Sequence, residues 1–253
     1  MNWLAMQKGF RVAGGRQMPW LWLLVAAFMI LVSMAFLDAP LAKWLYNRPE
    51  WLRAAFSIVN GLGKADWYLW PGALVALAAG AACLRQRKTS SRRLLRWLST
   101  AGAYLFLAVA IPGLLVNLIK ITAGRARPKL LTTEGLYGFE PFNILPDFHS
   151  FPSGHSQTAF CAALALAAFW PSGRRALLIL AGFVAAARMV LGAHFLSDVV
   201  TSALLSFIII GWLERLCRDQ KLIFTTGREG ELRLRAEGRW WRRRIRKALC
   251  KQR

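Results

Sequence analysis

Residues 97–119 read WLSTAGAYLFLAVAIPGLLVNLI and contain no charged side chain over 23 positions. At a rise of about 1.5 Å per residue, a helix of this length spans the ~30 Å of hydrocarbon in a bilayer. A surface helix of a soluble protein would carry a polar face, and this stretch has none that is charged. The stretch therefore predicts a transmembrane helix.

Five further apolar runs support the same interpretation. Together the candidate spans cover 19–37, 67–84, 97–119, 156–170, 176–191 and 196–213. Apolar residues make up 56% of the chain, and the charged residues, only 18%, are clustered between the runs. We therefore expect an all-α fold, a polytopic membrane bundle of six transmembrane helices over 19–213. An N-terminal segment (1–18) and a basic tail (214–253) flank this bundle.

The distribution of Lys and Arg predicts the orientation of the chain. With six spans both termini lie on one side, and that side carries 25 of the 34 Lys and Arg residues. The positive-inside rule places this side in the cytoplasm. Without the tail the count is 11 against 9, so the loop RQRKTSSRRLLR (85–96) is the clearest signal. We expect a multi-pass protein of the inner (plasma) membrane with cytoplasmic termini.

Two segments outside the spans have distinctive patterns. Residues 51–62, WLRAAFSIVNGL, have helical apolar periodicity on the outer side, which fits a helix on the membrane surface or a packed connector equally well. The tail stretch RWWRRRIRK (239–247) mixes tryptophan with basic residues. Nucleic-acid binding is one interpretation. Contact with anionic lipid is favoured, because each basic residue contributes about 1 kcal/mol near such a surface.

Polar residues that can carry chemistry are concentrated in three outer segments: KITAGRARPK (120–129), HSFPSGHSQTAF (149–160) and AARMVLGAHFLSD (186–198). The last segment places His194 and Asp198 four residues apart, on one face of a helix. It also places Arg188 at the end of an apolar run, where an unpaired charge is costly. All three segments fall on the same predicted side of the membrane.

This combination suits chemistry on a phosphate group. Fixed cations complement the negative charge on phosphoryl oxygens. The first N–H groups of a helix bind anions, and a histidine oriented by a carboxylate can act as a nucleophile or base. Each piece also has a purely structural interpretation, such as a membrane-flanking cation, a helix start or a surface His–Asp pair. Their shared side and spacing favour a single site.

The spacing resembles the type 2 phosphatidic acid phosphatase superfamily, which includes bacterial lipid phosphatases, glucose-6-phosphatase and vanadium haloperoxidases. The three signatures of this family are K-x6-R-P, P-S-G-H and S-R-x5-H-x3-D. They are matched by Lys120, Arg127 and Pro128, then by Pro152, Ser153, Gly154 and His155, and then by Arg188, His194 and Asp198. Ala187 stands where the family usually has serine, and we expect this departure to weaken phosphate binding without removing a catalytic group.

The resemblance implies a catalytic role for three residues. His194 attacks phosphorus to form a phosphohistidine, Asp198 holds its imidazole in the reactive tautomer, and His155 protonates the leaving oxygen and then activates water. The implied phosphate-binding residues are Lys120, Arg127, Ser153, Gly154 and Arg188. The resemblance implies no metal and no other cofactor.

Three polar residues near the signatures have no assigned role. His149 is favoured as a turn residue over a substrate contact, Arg125 could be a cation behind the site, and Asp147 could pair with one of the basic residues. The acidic residues Asp147, Glu134 and Glu140 lack the spacing of metal ligands.

The resemblance predicts a membrane phosphatase that hydrolyses a lipid phosphate or polyprenyl pyrophosphate at the outer face. The alternative with the same site is a phosphotransferase that moves a phosphoryl group from polyprenyl pyrophosphate to a lipid such as lipid A. Six spans argue against a haloperoxidase. A membrane scaffold recruited through the tail is the non-enzymatic alternative. We expect the loop 129–151 and the segment 51–62 to shape specificity, while the lipid and the oligomeric state stay open.

Overall fold

The computed structural model describes residues 19–226 and 232–240. Its main helices in chain order are α1 (Pro19–Val32), α2 (Asp38–Tyr46), α3 (Glu50–Asn60), α4 (Asp66–Arg85), α5 (Thr89–Ala123), α6 (Pro128–Thr133), α7 (Gly154–Phe169), α8 (Arg174–Val190) and α9 (Leu196–Asp219). A π-helical segment, Ser33–Leu37, joins α1 to α2. Short 3-10 turns cover Gly61–Gly63, Pro146–Phe148 and Pro171–Gly173. The segment 1–18 and most of the basic stretch 239–247 lie outside the described residues.

Among the described residues, four helical segments are long and apolar enough to cross a membrane: Leu23–Tyr46, Glu50–Arg85, Thr89–Ala123 and Leu196–Asp219. Large apolar side chains cover their outer surface; Phe36 is 70% exposed and Leu77 is 74% exposed. Such a continuous apolar surface is what a bilayer requires of the helices that it surrounds. The prediction of a helical multi-pass membrane protein is confirmed in this form.

Helices also occupy the fourth and fifth predicted positions, but these helices are short. The helices α7 and α8 have 16 and 17 residues, or about 24–26 Å of length. Helix α7 packs against α5, α8 and α9. Its alanines, for example Ala162, Ala163 and Ala165, are buried and allow this close approach of neighbouring helices. The count of six membrane spans stays a prediction.

The largest core cluster joins α5, α7 and α9 to a small β-hairpin. Strands β1 (Phe224–Thr226) and β2 (Leu232–Leu234) pair antiparallel, with Phe224 opposite Leu234. The Phe224 ring is fully buried, with its centroid 5.3 Å from that of Tyr104. The sequence analysis did not predict this hairpin. It also ended the last span at 213, whereas α9 continues to Asp219.

A tight turn follows α5 and brings the next residues back against the segment around Glu140. Helix α5 ends at Gly124, whose φ of 59° lies in the left-handed region that favours glycine. A Cβ at this position would lie 1.6 Å from the carbonyl oxygen of Glu140. The chain folds back here, because the Glu140 N–H donates to the Gly124 carbonyl at 2.7 Å. The turn places Arg125 in the interior, where it is 1% exposed.

Candidate active site

His194 lies in the short connection between α8 and α9, and Asp198 lies in the first turn of α9. Both residues are buried. The Nδ1 atom of His194 is 2.6 Å from the Ser150 carbonyl oxygen and 3.7 Å from Oδ2 of Asp198. Because a carbonyl only accepts, Nδ1 carries the proton and Nε2 has a free lone pair. This is the expected tautomer, but the direct hydrogen-bond acceptor is the backbone of Ser150.

Asp198 is held from several directions. Its Oδ2 atom accepts hydrogen bonds from the Ser150 hydroxyl at 2.6 Å and from the Phe195 N–H at 2.8 Å. Its Oδ1 atom accepts from Nη1 of Arg125 at 2.5 Å. Ser150 therefore contacts the histidine through its carbonyl and the carboxylate through its hydroxyl. Sequence reasoning missed Ser150, because a contact through a backbone carbonyl has no residue-type signature.

Three half-buried cations come from the ends of different elements. Lys120 lies in the last turn of α5 and donates to the His149 carbonyl at 2.8 Å. Arg188 lies near the end of α8 and donates from Nη1 to Oδ1 of Asn60 at 2.7 Å. The Nε atoms of Arg127 and Arg188 are buried and have no hydrogen-bond partner among residues 19–226 and 232–240. Buried donors of this kind are suited to bind an anion.

His155 lies in the first turn of α7 and is half-buried. Burial, followed by the charges of Arg188 and Lys120, lowers the pKa of His155 to about 4. Burial also lowers the pKa of His194 to about 3, although Asp198 acts in the opposite direction. Both imidazoles are therefore neutral near pH 7. The same cations act on both histidines, so these predicted residues lie together.

The Pro-Ser-Gly turn begins α7, as its sequence suggests. Ser153 is the N-cap, and its Oγ lies 2.8 Å from Oγ of Ser156 and accepts from the Ser156 N–H at 3.4 Å. The Ser153 N–H donates to the Asp198 carbonyl at 3.3 Å. At Gly154 a Cβ would lie 3.8 Å from Cε of Lys120. Both residues adjoin the site, and their contacts with phosphate stay predictions.

Residues from the first quarter of the chain complete the site, and sequence reasoning did not assign them to it. Asn60 contacts Arg188, and Gly63 packs so closely that a Cβ there would lie 2.9 Å from Cδ2 of His155. The polar Asn60 at the end of an amphipathic pattern was the only signal available. Within the described parts of the chain, no group of three or more His, Cys, Asp or Glu residues is placed to hold a metal ion.

Known proteins are similar to this chain in sequence. A profile of the PAP2 superfamily matches residues 101–221. The lipid A 1-phosphatase of Rhizobium johnstonii is 33% identical over 203 residues, which cover 78% of this chain and 82% of that protein. The lipid A 1-phosphatase of Rhizobium etli is 35% identical over 173 residues, or 68% of this chain and 73% of that protein.

A solved structure shares the fold. The crystal structure of a transmembrane PAP2-type phosphatidylglycerolphosphate phosphatase from Bacillus subtilis matches with a TM-score of 0.50 and 21% identity, over 79% of this chain and 96% of that chain. At this identity the match concerns the fold alone. The relatives, in contrast, confirm the family that the three motifs indicated. The chain therefore belongs to the PAP2 superfamily and is a membrane phosphatase of lipid phosphates.

Proposed function

We propose that this enzyme hydrolyses a phosphate monoester of a lipid in the outer leaflet through a phosphohistidine, and that the 1-phosphate of lipid A is the first candidate substrate. Both named relatives are lipid A 1-phosphatases, which supports this choice. One observation carries the chemistry. Nδ1 of His194 lies 2.6 Å from the Ser150 carbonyl oxygen and donates its proton to that oxygen, which leaves the lone pair of Nε2 free to attack phosphorus.

In the first step, Nε2 of His194 forms a bond to phosphorus as the bond from phosphorus to the lipid oxygen breaks. His155 gives its proton to that oxygen, so the lipid leaves as an alcohol. Asp198 stabilises the imidazolium charge that develops on His194. The phosphoryl oxygens are bound by Lys120, Arg127 and Arg188.

In the second step, water attacks the phosphohistidine. His155, now neutral, takes a proton from the water as its oxygen bonds to phosphorus and the bond from phosphorus to Nε2 breaks. Inorganic phosphate leaves, His194 returns to its neutral form, and His155 is protonated again. Burial and, after it, the charges of Arg188 and Lys120 lower the pKa of His155 in the empty site. A bound phosphate offsets their charge and favours the proton that the first step requires.

We propose an orientation with six spans, cytoplasmic termini and a periplasmic site. The excess of Lys and Arg on one predicted side supports it. The loop between α6 and α7 supports a lipid substrate, because Phe142 is 72% exposed and Ile144 is 78% exposed. The Phe142 N–H donates to the Ile121 carbonyl at 3.0 Å, which holds these side chains beside the last turn of α5. An acyl chain in the outer leaflet could contact them there.

Phosphate release by the purified protein in detergent tests the proposal. Lipid A, phosphatidylglycerophosphate, phosphatidic acid and a polyprenyl pyrophosphate are compared in the presence of EDTA. We expect lipid A to be hydrolysed fastest, and His194→Ala to lower turnover about 1000-fold or more. His149→Ala is the matched control, and we expect its turnover to stay within about fivefold, because Lys120 contacts only its backbone.

Different failures have different meanings. Substantial turnover by folded His194→Ala would refute the phosphohistidine route. Preference for another lipid would refute the lipid A assignment alone. Transfer of phosphate to an added acceptor lipid, without release of inorganic phosphate, would support the phosphotransferase alternative.

A further inference from the structure

A buried ion network lies behind the site and connects it to the first membrane segment. Arg125 is 1% exposed and donates from Nη1 to Asp198 at 2.5 Å and to the Ser197 hydroxyl at 2.7 Å. From Nη2 it donates to Oδ2 of Asp38 at 2.8 Å and to the Tyr137 hydroxyl at 3.1 Å. One guanidinium therefore bridges two buried carboxylates.

Asp38 is itself fixed on all sides. Its Oδ1 atom accepts hydrogen bonds from the Ser33 hydroxyl at 3.1 Å and from the Ser197 N–H at 3.0 Å. The Ser197 hydroxyl donates to its Oδ2 atom. Asp38 is 1% exposed although it follows a long apolar helix. A carboxylate in such a segment is costly unless it is paired, and Arg125 provides the pair.

The π-helical segment Ser33–Leu37 produces this geometry. The Asp38 N–H donates to the Ser33 carbonyl five residues earlier, the bond that defines a π turn. The wider turn brings the side chains of Ser33 and Asp38 into contact, which the spacing of an α-helix does not favour. Turns of this type occur often at functional sites. Here the turn directs Asp38 towards the start of α9.

Aromatic rings fix the orientation of the guanidinium. The Cζ atom of Arg125 lies 4.5 Å from the ring centroid of Phe195, 5.3 Å from that of Phe139 and 5.6 Å from that of Tyr137. These contacts suit the planar guanidinium of arginine, and a lysine ammonium cannot bridge two carboxylates through the same fork.

We propose that Asp38 and Arg125 are positioning residues for the His194–Asp198 pair. They hold Asp198 so that Oδ2 lies beside Nδ1 of His194. Together with Asp198, they also determine the net charge of the buried groups next to His194. With neutral His194, the two carboxylates and one guanidinium carry a net charge of about −1. That charge favours the imidazolium formed when His194 takes up the phosphoryl group. This inference rests on the phosphohistidine mechanism proposed above.

The variants Asp38→Asn and Arg125→Lys test the proposal in the full-length protein in detergent. The asparagine keeps the shape of Asp38 and removes its charge, and the lysine keeps the charge of Arg125 and removes its fork. We measure kcat and KM on a water-soluble aryl phosphate, together with competitive inhibition by inorganic phosphate, which binds the cations without a bond to His194. We expect kcat to fall about 10- to 100-fold, while the inhibition constant of inorganic phosphate stays within about threefold.

Arg218→Lys is the matched control. Arg218 forms an ion pair with Asp219 at 3.1 Å, at the opposite end of α9 from Ser197 and the buried network. Exposed pairs of this kind contribute little, so we expect unchanged kinetics. Equal losses of kcat, of affinity for inorganic phosphate and of thermal stability in Asp38→Asn would overturn the proposal, because they would indicate a merely structural role. An unchanged kcat would also overturn it.

Milder variants keep the test valid if Asp38→Asn does not fold. Ser33→Ala removes one donor to Asp38, and Tyr137→Phe removes one contact of Arg125 near the surface. We expect both to lower kcat about two- to tenfold at constant affinity for inorganic phosphate. If neither variant lowers kcat, the proposal is wrong. A failure of the phosphohistidine mechanism would give a different result. His194→Ala would then retain turnover, and the variants of the network would have wild-type kcat.

Discussion

Asn60 and Arg188 are 128 residues apart in sequence and form a hydrogen bond of 2.7 Å from Nη1 to Oδ1. Asn60 ends α3, a helix whose apolar side chains are largely exposed; Trp51 is 70% and Ile58 is 80% exposed. The segment 51–62, which the sequence analysis expected to shape specificity, thus supplies the hydrogen-bond partner of Arg188, a candidate phosphate-binding residue.

We expect Asn60→Ala to lower kcat/KM about tenfold or more, mainly through a higher KM. A hydrogen bond to a charged group contributes about 1.5–3 kcal/mol, and Arg188 loses its fixed orientation without it. Steady-state kinetics on a soluble phosphate ester measure the effect. The control is Ser57→Ala on the same helix, since the Ser57 hydroxyl bonds only the Ala54 carbonyl. Equal kinetics of the two variants would contradict this prediction.

Gly63 and Gly61 belong to one 3-10 turn and form a matched pair. A Cβ at Gly63 would lie 2.9 Å from Cβ and Cδ2 of His155, whereas a Cβ at Gly61 meets nothing within 4 Å. We expect Gly63→Ala to displace His155 and to lower kcat about tenfold or more, and Gly61→Ala to keep wild-type kinetics. Comparison of the two kcat values tests this. A Gly63→Ala enzyme with normal kcat would show that His155 tolerates the shift.

The low pKa of His194, about 3, gives a prediction for the acid side of the pH profile. The nucleophile must be neutral, and a lowered pKa keeps it neutral as the pH falls. We therefore expect no loss of kcat/KM from His194 protonation near pH 6.5, the ordinary histidine value. The measurement is kcat/KM from pH 8 to about pH 4.5.

The substrate itself titrates in this range, because a phosphate monoester has a second pKa near about 6. Two esters with different second pKa values separate the contributions. An inflection that moves with the ester belongs to the substrate. An inflection that stays near pH 6.5 with both esters would contradict the neutral, buried His194.

The exposed apolar loop gives a prediction about substrate length. We expect the double variant Phe142→Ser with Ile144→Ser to lower kcat/KM for a long-chain lipid phosphate about tenfold or more. Full cover of each side chain would contribute about 1.5–3 kcal/mol, and a tenfold effect, about 1.4 kcal/mol, corresponds to partial cover of both. A soluble ester should be hydrolysed at the wild-type rate. The control is Leu84→Ser at the far end of α4, which is 83% exposed. Equal losses on both substrates would mean that the loop supports the fold instead.

Local sequence patterns predicted the features that depend on near neighbours. Charge-free runs identified the helices, because a bilayer requires internal hydrogen bonding and apolar side chains from each segment. The short spacing from His194 to Asp198 made the pair visible in sequence, but the prediction that both lie on one face of a helix is wrong. His194 lies two residues before α9, and its side chain approaches Asp198 at the N-terminus of that helix. The Pro-Ser-Gly turn likewise predicted the start of α7. Motif spacing and the relatives together indicate the family.

Only the tertiary structure decided which distant groups complete the site. The contacts of Arg125 with Asp38 and of Arg188 with Asn60 join residues far apart in the chain, and the Ser150 carbonyl could belong to any residue type. The sequence also did not predict that Phe224 packs against Tyr104 in the core of the helical bundle. The sequence by itself determined the helices, since their charge-free apolar runs are local, and the spacing of its motifs indicated the candidate site residues through the family that they resemble. Packing determined the partners of these residues. A buried charged group is stable only when it is paired or hydrogen-bonded, and the tertiary fold decides which distant residue lies close enough to pair with it.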